Sequence, residues 1–480
     1  MAQPVLNQKN DVTWINVQGI VTRGYGKLRF GRYVMLRVLH PGKAKAWLAL
    51  QGDKAHSCVD DPETRALNIA ITAVGLLELG AQLTNLNCFS EPFMQGMVTD
   101  HRSRILGDHG PNDPKLWTWG QNAESTPHVM VALFAVNDAT LGADRAGLLK
   151  EIDGAFIIQF EVDAELSDRD HFNFVDGISQ PKIDGVPKRQ GGTHSGDTAT
   201  GEMVLGHVNS RDQQFPVPVL GLPGEQGSHP FGYEGTYLVF RQMEQKVLEF
   251  HEYCATVEPQ NPEWVAAQFV GREPDGTPLV LDKQGQKLPA DSSDFDYSGD
   301  SAGFQCPIGA HIRRSNPRDS LLVPNEPMTP ITRENSLHTV SHHRIMRRGR
   351  IYGPVWRPGQ GPYTTVARGL NFICLNASIA DGFELVQQSW LSNTKFNGLY
   401  DEVDPMVGIS NGPTGACAMT IQMPGLRRRL VDIPRFIIVM GGAYFFLPSR
   451  KALTLLAQLP DPPRKTLPLA PGLSDSDTSK

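Results

Sequence analysis

The chain is short of the features that mark a membrane-bound or disulfide-stapled protein. No run of 18 apolar residues occurs in its 480 positions, which argues against a transmembrane helix. Its first residues, MAQPVLNQKNDV, lack a basic stretch followed by an apolar one, so no secretory signal is expected. Only six cysteines are present (Cys58, Cys88, Cys254, Cys306, Cys374 and Cys417), and no two are spaced as C-x-x-C. Scattered thiols of this kind predict a reduced, cytoplasmic protein. His56 and Cys58 form a lone H-x-C, short of the four ligands that a structural zinc site needs. Long runs of Lys or Arg are missing as well, and the net charge is −6, so neither nucleic acid nor an anionic membrane is an expected partner.

What is present is apolar material for sizeable cores, 40% of all residues. At roughly 100–200 residues per domain, this length favours two domains. In the first half, Val12 to Val21 and Arg32 to Val38 have the composition of strands around a Gly24-Tyr25-Gly26 turn. Leu67 to Leu79 has helical spacing and ends at Gly80, a plausible C-cap. His128 to Val136 and Ala155 to Val162 read as strands, with a helix over Leu141 to Ile152 between them. The second half repeats this grammar. Strands are predicted over Thr236 to Phe240 and Leu370 to Leu375, followed by helices over Glu244 to Thr256 and Ile379 to Trp390. A hairpin is expected over Phe436 to Leu447, then a last helix over Arg450 to Gln458. Two halves of strand–helix–strand units suggest an α+β duplication. Gly-, Ser- and Pro-rich stretches at Lys188 to Gly201 and Gln213 to Glu234 are loops, and the second is the expected boundary. The expected units are therefore residues 1–225 and 226–458, followed by a Pro-rich, disordered tail over 459–480.

Three segments carry residues suited to chemistry. CPIGAHIRRSNPR places His311 beside Arg313, Arg314 and Arg318. Neighbouring cations disfavour a protonated imidazole, and the neutral ring is the form that binds metals. Guanidinium forks also suit carboxylates. An ordinary charged surface loop fits the same pattern. HFNFVDGISQPKIDG sets Asp176 among Phe172, Phe174 and Ile178. An Asp-Gly between apolar residues is most often a turn; the alternative is a carboxylate held in an apolar pocket. HHRIMRRGRIYGP offers Arg347 either to solvent or to a pocket where negative charge develops.

Taken together, the three segments resemble the dye-decolourising peroxidase family of haem enzymes, in its longer, fungal-like branch. The proximal Cys-Pro-x-x-Ala-His-Ile-Arg, the distal Asp-Gly-Ile-Ser-Gln-Pro and the arginine segment occur in the family's order. GEMVLGH, GTYLVFRQMEQKV and GLNFICLNASIADGFELVQQSW agree, so the likeness runs from about Asp11 to Leu456. It implies two ferredoxin-like α+β domains with antiparallel sheets and peripheral helices, and one haem b per chain held mainly by the second. His311 would be the proximal iron ligand, its ring oriented by Asp404 or, as the alternative, Glu402. Asp176 and Arg347 would activate hydrogen peroxide, Leu370 and Phe372 would line the distal pocket, and Arg313 would stand among the cofactor contacts. Small organic donors such as dyes and phenols would be oxidised, with Trp390 or Tyr400 as relays or as plain packing. A homo-oligomer is compatible with this picture. One departure is Asn173, which stands where the family has the first glycine of Gly-x-x-Asp-Gly, a position where backbone would approach the haem. It leaves room for a haem-handling protein of the same fold with weak peroxidase activity. His171 is a further acid–base candidate, or a structural histidine.

Overall fold

The computed structural model describes residues 12–83, 88–187, 197–222, 228–321, 327–357, 366–409 and 417–462. The first unit runs β1 (Phe30–Val38), α1 (Pro41–Lys54), β2 (Arg65–Ile71), β3 (Val129–Ala135), α2 (Asp138–Glu151) and β4 (Phe156–Glu165). Local chemistry starts its helices. Pro41 opens α1 while the His40 ring accepts from Lys43 N, and Asn137 caps α2 by accepting from Thr140 N. The second unit runs β5 (Thr236–Gln245), α3 (Val247–Val257), β6 (Met346–Arg347), β7 (Arg350–Tyr352), β8 (Gly369–Asn376) and β9 (Ile437–Leu447). Between β8 and β9 lies a helix wound with wide, π-type turns over Ala380–Glu384 and Val386–Leu391.

Strand order makes the duplication visible. The first unit pairs as β4-β1-β3-β2, and the second pairs β9-β5-β8 with β8 then taking the short β6 and β7. Both are the antiparallel order of a ferredoxin-like sheet. The units join edge to edge, Phe446 of β9 opposite Ile71 of β2 and Glu165 of β4 opposite Ile351 of β7. The sheet thereby closes into a barrel and no long edge is left open. Its interior is apolar and filled from both units by Tyr33, Met35, Phe134, Phe240, Ile373 and Phe445. Tyr33 and Phe240 meet edge to face at 5.1 Å across the join. No helix among the described residues is long and apolar enough to cross a membrane.

Four expectations change. Val12 to Val21 is not a strand but turns ending in a short 3-10 segment, Gly19–Val21. Gln18 there spends its side chain on Ile69 and Pro448 backbone groups. Leu67 to Leu79 is a strand to Ile71 and only then a helix, Ala73–Glu78. Residues 68 to 71 are buried on both faces, so their apolar run carries no period to distinguish strand from helix. The expected hairpin at Phe436 to Leu447 is one continuous strand with a bulge at Met440. Glycine is needed there: a Cβ on Gly441 would lie 2.5 Å from Trp119 Nε1. The tail also starts ordered, because buried Lys45 donates to Leu459 O, Pro460 O and Asp461. Residues 463–480, 188–196 and 223–227 of the expected tail and loops lie outside the described residues.

Candidate active site

The outer faces of the two half-sheets are used differently. In the first unit Val34, Leu36, Ile69 and Leu133 pack under Leu48 of α1 and Leu141 and Leu148 of α2. In the second unit, alternate residues of β5 (Arg241, Met243, Gln245) and β8 (Leu370, Phe372) face a large cavity instead, joined by Ile437 and Val439 of β9. The bulge at Met440 reverses the alternation, so Tyr444 and Phe446 beyond it lie in the packed core. Phe383 and Val386 of the π-wound helix and Met406 and Ile409 of the following loop complete an apolar enclosure.

His311 lies on the wall of this cavity, at the start of a one-turn helix, His311–Ser315. Its Nδ1 is 2.9 Å from Oδ2 of Asp404, which is fully buried. Oδ1 of Asp404 accepts from Met406 N and Val407 N. Burial by itself raises the Asp404 pKa, but His311 and these backbone donors hold it below the usual carboxylate value. An ionised Asp404 fixes the Nδ1–H tautomer, leaving Nε2 as the lone-pair nitrogen available for a metal. Glu402, the alternative partner, is instead engaged by Thr420 N and Arg429.

Asp176 and Arg347 line the same cavity. Arg347 Nη1 donates to Asp176 Oδ1 at 3.2 Å. The backbone of Arg347 is tied to Gln180, and its Nη2 reaches Ser179 O. Gly177 N also donates to Asp176 Oδ1, so Oδ2 makes no hydrogen bond among the described residues. The Asp176 side chain is 46% exposed and that of Arg347 is 35% exposed. A second cavity shares Asp176, Arg347, Ile178 and Leu370 with the first and extends to Thr22, Gly24 and Gly26.

No family model matches the chain. It is 27% identical over 425 residues to the dye-decolorizing peroxidase msp1 of Mycetinis scorodonius, covering 81% of this chain and 75% of that protein. It is 26% identical over 435 residues to the multifunctional dye peroxidase DyP2 of Amycolatopsis, covering 83% and 84%. The crystal structure of a decolorizing peroxidase from Auricularia auricula-judae superposes with a TM-score of 0.74 at 25% identity, covering 93% of this chain and all of that one. This chain is a homologue of the dye-decolorizing peroxidases. Fungal and bacterial members both stand among its relatives.

Against the dye-decolorizing peroxidase motifs, several residues sit where the sequence alone did not place them. Arg313, expected among the cofactor contacts, is turned away from the cavity. It is completely buried, donates to Asp300 and Cys306 O, and lies 4.4 Å over the Tyr297 ring. Arg314 is likewise spent on the backbone carbonyls of Trp390, Asn393 and Glu402. Asn173, the departure from the peroxidase glycine, has φ +77°, and it lines neither cavity. The backbone here is left-handed, which suits glycine and which Asn tolerates best among the other residues. His171 is enclosed, bonded through Nε2 to Tyr352 O, and burial pushes its pKa down to about 4. It is a structural histidine. Trp390 is buried against His343, whereas Tyr400 is 77% exposed beneath the Lys395 ammonium.

Several polar cavity residues were missed, among them Asp108, Asp170, Arg241 and Arg344. Arg241 forms a two-pronged pair with buried Asp108. Its signal was present: an arginine within TYLVFRQMEQ, in step with Met243 and Gln245 and opposite to Leu238 and Phe240. Asp170, which lines both cavities, accepts from Phe174 N and from Gln245. Burial, reinforced by the charge of Asp176, pushes its pKa up to about 7. Nothing in the sequence marks it, because five residues separate it from Asp176 and no motif joins the two.

Proposed function

We propose that the chain is a haem-dependent peroxidase that reduces hydrogen peroxide and oxidises organic donors such as dyes and phenols. The observation that carries this reading is one cavity lined by His311, whose ring is held from behind by buried Asp404, and by the Asp176–Arg347 pair. The residues present fit haem. The His311 ring, with its Nδ1 committed to Asp404, offers Nε2 to the iron, the walls are largely apolar, and Arg318 and Arg344 also line the cavity, where guanidinium groups suit propionates. Bound haem supplies the iron and the electrons that peroxide takes.

The protein's own part is acid–base and electrostatic. Asp176 Oδ2 accepts a proton from peroxide and returns it to the departing oxygen, which leaves as water. Arg347 bears the negative charge that builds on that oxygen. Leu370 and Phe372 narrow the approach, so bulky donors give up electrons from outside the pocket. The second cavity also reaches Asp176, Arg347 and Leu370 and offers peroxide and water a further approach to them. Asn173, which gave the haem-handling alternative its room, is not among the residues lining either cavity. A cytoplasmic location is supported by all six thiols being free.

The test is an absorbance spectrum of the purified protein, followed by dye oxidation with and without peroxide. A Soret band with peroxide-dependent turnover far above that of free haem is expected. Protein that binds haem but turns over no faster than free haem would return the reading to haem handling.

A further inference from the structure

Behind the cavity wall lies a buried polar network that the peroxide chemistry does not use. Tyr444, 2% exposed, donates its hydroxyl to Glu384 Oε1 at 2.8 Å. Glu384 Oε2 accepts from Arg102 at 2.7 Å, and both of these residues are buried. Tyr444 pairs with Val239 and Gly442 with Arg241, which sets Tyr444 and Arg241 diagonally on the same outer face. Arg241 lines the cavity and holds Asp108. The Tyr444 hydroxyl is thus one side chain removed from the site.

A phenol that loses an electron becomes a very strong acid, so oxidation at low driving force needs a base already in place. The buried tyrosines differ in this respect. Tyr33 and Tyr297 have hydroxyls without a partner among the described residues, although Tyr297 lines the cavity. The hydroxyl of Tyr25 meets the Asn68 amide, and that of Tyr237 meets Ser90 N. Only Tyr444 among these five donates to a carboxylate. Burial raises the proton affinity of that carboxylate, only partly offset by the Tyr444 hydroxyl and the Arg102 charge.

We propose that Tyr444 is an internal redox site that returns one electron to the peroxide-oxidised haem while its proton passes to Glu384. This rests on the peroxidase reading. Peroxide withdraws two electrons from the loaded cofactor, and Tyr444 refills one of the two holes. The Tyr444 O–H bond breaks, its proton moves to Glu384 Oε1, and a neutral phenoxyl radical remains. An organic donor later supplies one electron, the proton returns from Glu384, and the phenol is restored. One oxidising equivalent is thereby held in the protein, away from further peroxide.

The holoenzyme is mixed with hydrogen peroxide, freeze-quenched and examined by high-field electron paramagnetic resonance, with peroxide consumption followed in parallel. The wild type should show a tyrosyl radical whose largest g value is lowered by a hydrogen bond and nearby positive charge. An exchangeable-proton coupling should be lost in D2O. Tyr444→Phe should lose that component, and so should Glu384→Gln, which keeps the phenol but removes the base. A Tyr444→Phe protein that retains the wild-type tyrosyl spectrum overturns the inference. Should that variant not fold, a wild-type radical without an exchangeable-proton coupling overturns it equally. Peroxide consumption without any tyrosyl radical overturns the inference alone. A haem-loaded protein that consumes no peroxide overturns the peroxidase reading and removes the oxidant, and the inference with it.

Discussion

The two half-sheets share a strand order and differ in what covers them. The first presents Val34, Leu36, Ile69 and Leu133 to two long amphipathic helices and closes completely. The second presents Arg241, Met243, Gln245, Leu370 and Phe372 to a cavity. Small, complementary aliphatic side chains interdigitate to crystal-like density, whereas an arginine and a glutamine on the same face cannot be buried under a helix without partners. The same topology therefore yields a core on one side and a site on the other. The segments that cover the second sheet bring the chemistry with them, His311 and Asp404 from loops beyond β5 and β8, and Asp176 from the loop that leaves the first unit.

The sharpest way to break this comparison is at His311. His311→Ala should abolish stable haem incorporation, with near-complete loss of the Soret band and of haem measured by pyridine haemochrome. Normal haem content in that variant would mean that the second unit's cavity holds its cofactor by other means. Next come Asp176 and Arg347, which should govern rate and leave haem content intact. Asp176→Asn should lower kcat/KM for peroxide by about 10²–10⁴, and Arg347→Leu by about 10²–10³. Because the base is a carboxylate and not an ordinary imidazole, which protonates at about pH 6.5, wild-type initial rates should persist in buffers below that pH. A pH profile cannot exclude His171 by itself, since its ring stays neutral down to about 4. Its enclosure away from the cavity excludes it.

A gentler test compares the two faces directly. Leu48→Ala, in the packed first unit, should cost about 2–5 kcal/mol in denaturant unfolding, with unchanged peroxide kinetics in the folded protein. Phe372→Ala, on the cavity face, should cost less than Leu48→Ala, because its ring is only partly buried, and it should alter the kinetics. Equal losses at both positions would erase the distinction. The smallest effect is expected at Asp170. Its folded pKa is raised from 3.8 to about 7, so the folded state holds a proton that the unfolded state has released. That difference removes stability as pH rises from about 4 through 7 and has no effect below the unfolded value. Asp170→Asn should lack this loss, gaining on the order of 1–2 kcal/mol over the wild type at pH 8 and little at pH 4. A stability difference independent of pH would show that Asp170 is not buried as a neutral acid.

Much of the site was legible because it lies in short, contiguous motifs. His311, Asp176 and Arg347 each sit in a segment whose residue types suit one role, and the structure brings all three to one cavity with Leu370 and Phe372. The α+β duplication was legible from the alternation of apolar strands and amphipathic helices, a property of local periodicity. What the sequence alone could not supply were directions and partners. Arg313 and Arg318 look equivalent in CPIGAHIRRSNPR, yet a one-turn helix sends Arg313 into Asp300 and leaves Arg318 on the cavity. Asn173 read as an intrusion, and only its left-handed backbone shows it to be a turn. Asp404 was separable from Glu402 only once Thr420 and Arg429 claimed the latter. The strand over Arg65–Ile71 lost its period because closure of the barrel buries it from both sides. Composition and period are carried by neighbours along the chain, so they survive in one dimension. The orientation of a charged side chain depends on which distant group reaches it first, and that is decided only when the two half-sheets close on each other.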